Sequence, residues 1–174
     1  MRALVVYESM FGCTEQVALA VKDGLRDAGA TVEAVEVSRA PSPGALREGA
    51  VDLLVVGAPT HALGLSRPET RADAAGRGRP LVSRGQGVRE WLAAAEGCDV
   101  AAAAFDTHVR RPRVPGHAGR AADRRLRRLG CRRAARPESF DVEDVQGPLC
   151  DGEVERAHAW GVGLAASVDS LRPR

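Results

Sequence analysis

The chain has little with which to stack and almost no lysine. Its 174 residues include one Tyr, three Phe and two Trp. Surfaces that bind RNA or single-stranded DNA interleave aromatic side chains with cations, so this scarcity argues against such a partner. Lys22 is the only lysine, leaving arginine as 24 of the 25 basic residues. Neither the G-x-x-x-x-G-K-[ST] of nucleotide triphosphatases nor the G-x-G-x-x-G of dinucleotide folds occurs. No apolar run approaches the roughly 20 residues that cross a bilayer, so no membrane span is expected. The first residues enter a strand-like run directly, without the layout of a signal peptide. Cys13, Cys98, Cys131 and Cys150 form no C-x-x-C pair, and no histidine stands at zinc spacing. Neither a disulfide framework nor a metal site is therefore expected, and the cysteines read as reduced thiols in a cytoplasm. A net charge of +2 gives no global pull toward nucleic acid. The length suits a single domain, 1–174, with a sizeable core.

What is present is concentrated at the start. Ala3-Leu4-Val5-Val6-Tyr7 is a continuous apolar run, as expected of a parallel strand buried on both faces. Glu8-Ser9-Met10-Phe11-Gly12-Cys13 breaks it, and Thr14 opens a segment with Val17, Ala18, Val21 and Leu25 on one helical face, closed by Gly29. A helix N-terminus offers unpaired N–H groups and partial positive charge, so the preceding turn favours a phosphate. Ser9 and Thr14 add hydroxyls, and Gly12 allows close backbone approach. Such a loop, with one glycine and no lysine, suits a single phosphate monoester whose charge is met without a cation. Cys13, at the helix start, is expected either to carry a lowered pKa or to fill the turn as a small side chain.

The remainder alternates strands and helices. Thr31 to Val37 fits an edge strand, Ala45 to Gly49 a short helical stretch at best, and Val51 to Gly57 a second buried strand. Residues 61 to 86, rich in Gly, Arg and Pro, show no clear periodicity. Gly87 to Glu96 reads as helix, with Trp91 inward, and Val100 to Phe105 as a strand mostly of alanine, over which something bulky must pack. Gly116 to Leu129 is a helix with arginines outward. Cys131 to Ala135 and Ser139 to Val142 make a weak final strand split around Pro137, and Asp151 to Leu171 is the closing helix, with Val154, Ala157, Trp160, Gly161, Leu164 and Val168 on its inner stripe.

The first segment resembles the flavodoxin family, whose equivalent loop holds the phosphate of FMN. Val5 to Val21 satisfies every specified position of that pattern: an aliphatic pair and an aromatic, then Ser9, Gly12, Thr14, Ala18 and Val21. The resemblance implies an α/β three-layer sandwich, a five-stranded parallel sheet in order 2-1-3-4-5 with helices on both faces. Ligands of such folds sit outside the carboxyl ends of the strands at the switch point, so chemistry is expected after Tyr7, Gly57 and Phe105. By the same resemblance Ser9, Met10, Phe11, Gly12, Cys13 and Thr14 would hold the phosphate. Pro59, Thr60 and His61 would line one face of the flavin ring, where Gly64 permits a peptide flip beside the ring nitrogen N5. Phe105, Asp106, Thr107 and His108 would form the second ring loop, with Asp106 and Thr107 at the pyrimidine edge. The Pro-Thr-x-x-x-Gly layout is similar to that of flavodoxin-like quinone reductases, but their Gly-Gly pair and the stacking aromatics of electron-carrier flavodoxins are missing.

Arg110, Arg111, Arg113, Arg120, Arg124, Arg125, Arg127, Arg128, Arg132, Arg133 and Arg136 gather positive charge in one quarter of the chain. They suit a solvated face, an acidic redox partner, a pyridine-nucleotide phosphate or contact with nucleic acid, with Arg110 and Arg111 expected nearest the flavin edge. The functional expectation is FMN-dependent electron transfer or oxidoreduction with a redox protein or small-molecule acceptor. Non-enzymatic carriers, quinone reductase-like and protoporphyrinogen oxidase-like enzymes all belong to that class. The competing expectation is a cofactor-free binding module on the same fold.

Overall fold

The computed structural model describes residues 1–46, 51–111 and 115–171. Its elements run β1 (Arg2–Tyr7), α1 (Cys13–Asp27), β2 (Thr31–Glu36), β3 (Leu53–Pro59), α2 (Pro68–Ala75), α3 (Val88–Ala93), β4 (Ala101–Val109), α4 (Ala118–Arg128), β5 (Arg132–Arg133), β6 (Glu138–Val142) and α5 (Glu153–Leu171), with short 3-10 turns at Val37–Arg39 and Pro43–Leu46. The strands form one parallel sheet in the order β2-β1-β3-β4-β5, with β6 also paired to β4. This is the expected 2-1-3-4-5 order. The last strand is divided: β5 pairs with Ala101 and Ala102, β6 with Phe105 to Val109, and Pro137, which has no N–H to give a ladder, lies between them.

The near-continuous apolar strands follow from burial on both faces. Side chains alternate across a strand, so each buried strand feeds two cores. Ala3, Val5, Leu53, Val55, Ala101, Ala103 and Phe105 join one cluster with α1 and α5, while Leu4, Val6, Leu54, Val56, Ala102 and Ala104 join another with α3 and α4. The bulk expected over the alanines of β4 is supplied in the first cluster by Phe140, Leu164 and Trp160; Phe105, Phe140 and Trp160 meet edge to face at 5.9 to 6.2 Å.

Two sequence expectations change. Residues 61 to 86 contain a helix, α2, invisible to periodicity because only Ala74 of it is buried. Val154 is exposed, leaving Ala157, the half-buried Trp160, Gly161, Leu164 and Val168 as the inner face of α5. Of the stretch from Ala45 to Gly49, residues 47–49 lie outside the described residues, as does Arg113. Among the described residues no helix is long and apolar enough to cross a membrane.

Helices α1 and α5 approach to backbone contact through glycine. A Cβ on Gly24 would stand 2.1 Å from the His158 carbonyl oxygen, and one on Gly161 2.4 Å from that of Val21. Replacing Gly161 by alanine gains about 1 kcal/mol of helix propensity, but overpacking costs about 1–3 kcal/mol. The clash should win, so G161A is expected to lower the urea midpoint; an unchanged or raised midpoint would mean the two helices separate freely.

Candidate functional site: a cavity at the carboxyl edge of the sheet

The loops after β1, β3, β4 and β6 enclose a cavity of about 320 Å³. Its wall contains Ser9, Met10, Phe11, Cys13 and Thr14 from the first loop, Pro59, Thr60 and His61 from the second, and Thr107 and His108 from the third. Phe105 and Asp106 face elsewhere. Phe105 is buried in the aromatic cluster, and the Asp106 carboxylate turns to α4, where Oδ2 accepts the Gly119 N–H at 2.8 Å. Gly12 shapes the loop without lining the cavity. Arg110 pairs with Glu143 at 3.0 Å, Arg111 is exposed, and neither reaches the wall.

The first loop is held open by its own serine. Ser9 Oγ accepts the N–H groups of Gly12 at 3.1 Å and Glu15 at 3.3 Å. Gly12 precedes α1 with φ of 99°, a conformation that favours glycine, and a Cβ there would meet nothing within 4 Å. The N–H groups of Cys13 and Thr14, in the first turn of α1, find no protein acceptor among the described residues. The Thr14 hydroxyl is 2.8 Å from that of Thr107, tying the first loop to the third.

Segments remote in sequence brace this loop. Ser83 Oγ accepts the Ser9 N–H at 2.9 Å, and the N–H groups of Ser83 and Val82 bond the carbonyls of Ser9 and Met10 at 2.8 and 2.9 Å. Beneath Ser9, the fully buried Glu8 carboxylate accepts from the Ser66 hydroxyl and from the Val88 N–H at 2.9 Å. Arg71 joins them, donating to Ser66 Oγ at 2.9 Å and pairing with Glu90 at 3.1 Å.

The loop after β3 turns at once. His61 and Gly64 exchange both backbone hydrogen bonds at 2.8 Å, so Gly64 is fixed in a tight turn whose central residues, Ala62 and Leu63, have φ of 37° and 75°. These are left-handed values that side chains resist. Burial, then Arg71 and Arg77, hold the His61 imidazole below its ordinary pKa, so it faces the cavity neutral at neutral pH.

Other wall residues were not anticipated: Thr70, Asp73, Ala74 and Arg77, from α2 and its exit, and Val142 and Val145, after β6. The topology rule pointing to loops after β1, β3 and β4 applies equally to the neighbouring β6. Nor is the first loop far from positive charge. Arg77 is in the wall, and the Arg79 guanidinium lies 5.9 Å from the Phe11 ring centroid. The lowered Cys13 pKa expected of a helix N-terminus is not found: burial pushes the thiol up, outweighing Arg79 and the Leu149 N–H.

Asp106, His108 and His117, which no sequence spacing linked, each bring a donor atom within 4.8 Å of the other two. The signal available in the sequence was the alternation Asp106-x-His108 at the end of a strand, which puts both on one face.

Burial raises the pKa of Glu8, against smaller opposing effects of Ser66, Val88 and Arg71. A carboxyl raised in this way binds its proton more tightly folded than unfolded. Its contribution to stability is full at low pH and is lost as pH rises through the folded value. Wild type should therefore lose stability relative to Glu8→Gln over the pH range that rises from the ordinary glutamate value of about 4.3. Urea midpoints across that range test this, and parallel profiles for the two proteins would contradict it.

The sequence model of the flavodoxin family, described as Flavodoxin, matches residues 5–160. No curated protein matches the chain by sequence. Among solved structures, oxidised flavodoxin 1 from Bacillus cereus superposes with a TM-score of 0.70 at 18% identity, covering 95% of this chain and 98% of that one. The flavodoxin of Streptococcus pneumoniae TIGR4 gives 0.70 at 19%, covering 95% and 99%. Rubredoxin:oxygen oxidoreductase from Desulfovibrio gigas gives 0.66 at 18%, covering 97% of this chain but 36% of its own. At these identities the likeness speaks for the fold, and the sequence match over most of the chain speaks for descent: the chain belongs to the flavodoxin family.

Proposed function

We propose that this chain, as a single flavodoxin-like domain, holds FMN noncovalently in the cavity and passes electrons to a redox protein or a small-molecule acceptor. The observation that carries the reading is the first turn of α1. The Cys13 and Thr14 N–H groups lack protein acceptors beside a glycine whose missing Cβ leaves open space, an arrangement suited to a phosphate. Ser9 Oγ, already accepting two backbone N–H groups, still has its own proton to donate. Arg77 and Arg79 add positive charge nearby, so a dianionic phosphate would be met by backbone dipoles and cations together.

Beyond the phosphate end, the wall suits a flat ring with polar edges. The neutral His61 imidazole and the ring of His108, with Val109, Val142 and Val145, offer flat and apolar surface, while Thr60 offers a hydroxyl. When bound, the flavin supplies the one- and two-electron chemistry that no side chain here can provide. The residues around it would orient it and limit water. Four cysteines kept as thiols rather than disulfides fit a reducing compartment, so we propose a cytoplasmic location.

Scarce aromatics favour the cofactor-free alternative: of Phe, Tyr and Trp only Phe11 is in the wall among the described residues. Fluorescence titration of the full chain separates the readings. FMN is expected to be quenched with one-to-one stoichiometry, riboflavin to bind at least about tenfold more weakly through loss of charge-assisted hydrogen bonds, and Ser9→Ala to weaken FMN binding by a similar factor. Absence of quenching at any FMN concentration tested would leave the cofactor-free module standing, and equal affinity for riboflavin would refute the phosphate role of the first loop.

A further inference from the structure

The far end of the cavity wall carries a second constellation. Asp106 and His108 share one face of β4, and the parallel register sets Ser139 beside Asp106 and Asp141 beside His108 on β6. His117, the residue capping α4, closes over them: its Nδ1 lies 3.7 Å from Asp106 Oδ2 and 3.1 Å from Ser139 Oγ. The two imidazoles meet edge to face with centroids 5.0 Å apart. His108 Nδ1 stands 3.5 Å from Asp141 Oδ1.

The decisive feature is unmet demand. Asp106 is wholly buried, and only Oδ2 is satisfied, by the Gly119 N–H at 2.8 Å. Among the described residues its Oδ1, buried, finds no hydrogen-bond partner, and neither does His108 Nδ1. Buried polar atoms without partners are rare and costly, and two of them beside a third donor mark a place where something is missing. Two imidazoles and a carboxylate would all be answered by one cation.

Distances agree. Ligand atoms about 2.0–2.2 Å from a tetrahedral zinc stand about 3.4 Å from one another. The His117–Asp106 separation of 3.7 Å is close to that, and all three donor atoms lie within 4.8 Å of one another before any cation draws the ligands in. Calcium and magnesium prefer sites built from oxygens, whereas imidazole with carboxylate suits zinc and its neighbours. The Gly119 N–H, bonded to Asp106, would orient that carboxylate from outside, while His117 Nδ1 would exchange its contact with Ser139 for the cation.

We propose that Asp106, His108 and His117 bind a divalent transition cation of the zinc class, with a water completing the coordination. The site shares His108 with the cavity wall but does not require flavin, and a chain that fails to bind FMN would still be expected to fill it.

The test is a titration of the full-length, chelator-treated, flavin-free protein with Co²⁺, followed by displacement with Zn²⁺. One equivalent should bind, giving visible d–d absorption without the near-ultraviolet band of a thiolate ligand, and Zn²⁺ should abolish it. His117→Asn keeps a good helix cap, and His108→Gln and Asp106→Asn keep comparable volume. Each should weaken cobalt binding by at least about tenfold. Should the buried Asp106→Asn fail to fold, His117→Asn decides, with a thermal melt of the metal-free variant confirming its fold. The proposal is overturned if wild type shows no saturable cobalt binding, if His117→Asn binds as tightly as wild type, or if a thiolate band places the metal on cysteine.

Discussion

A buried carboxylate under the first loop holds the site together. Glu8 leaves the apolar run of β1 at the point where the chain must turn, and its side chain has no access to water. Carrying it inside is costly unless its oxygens are answered. The Ser66 hydroxyl answers from the segment leading into α2, and the Val88 N–H answers from the start of α3. Three stretches separated by tens of residues thus converge immediately beneath Ser9. Arg71 extends the network to Glu90, so α2 is joined to α3 across the same point. With Ser83 bonded to the backbone of Ser9, the phosphate-favouring turn is supported by contacts that a strand-turn-helix could not make alone.

That dependence explains what was and was not legible in the sequence. Strands β1, β3 and β4 are buried on both faces, so their composition announced them; alternation with helices pointed to a parallel sheet, and the resemblance to the flavodoxin family supplied its order. The first loop was legible because its chemistry is local: Ser9, Gly12 and the start of α1 act within a few residues. The supports were not, because Glu8 finds Ser66 and Val88 only after folding, and no periodicity pairs such positions. Helix α2 escaped for a related reason. It buries one alanine and serves as a partial roof, so it lacks the apolar stripe by which helices are recognised. Asp106 shows the limit of placing residues by loop position alone: strand alternation turns Thr107 to the cavity and to Thr14, and Asp106 to the opposite face and α4.

The same alternation gives the carboxyl edge of the sheet its electrical character. At the β1 end, unpaired N–H groups at the start of α1, with Arg77 and Arg79 nearby, favour negative charge. At the β4 and β6 end, Asp106 and Asp141 stand among imidazoles and favour positive charge. Two strand spacings, roughly 10 Å, separate β1 from β4, about the Debye length at physiological salt. Each end therefore acts on what it touches, and neither cancels the other. The hydrogen bond between Thr14 and Thr107 joins them directly, so a shift of the β4 backbone that drew Asp106 and His108 together would pull on the residue beside the unpaired N–H groups. The two ends are electrostatically separate and mechanically connected, a consequence of β4 presenting successive residues to opposite faces of one sheet.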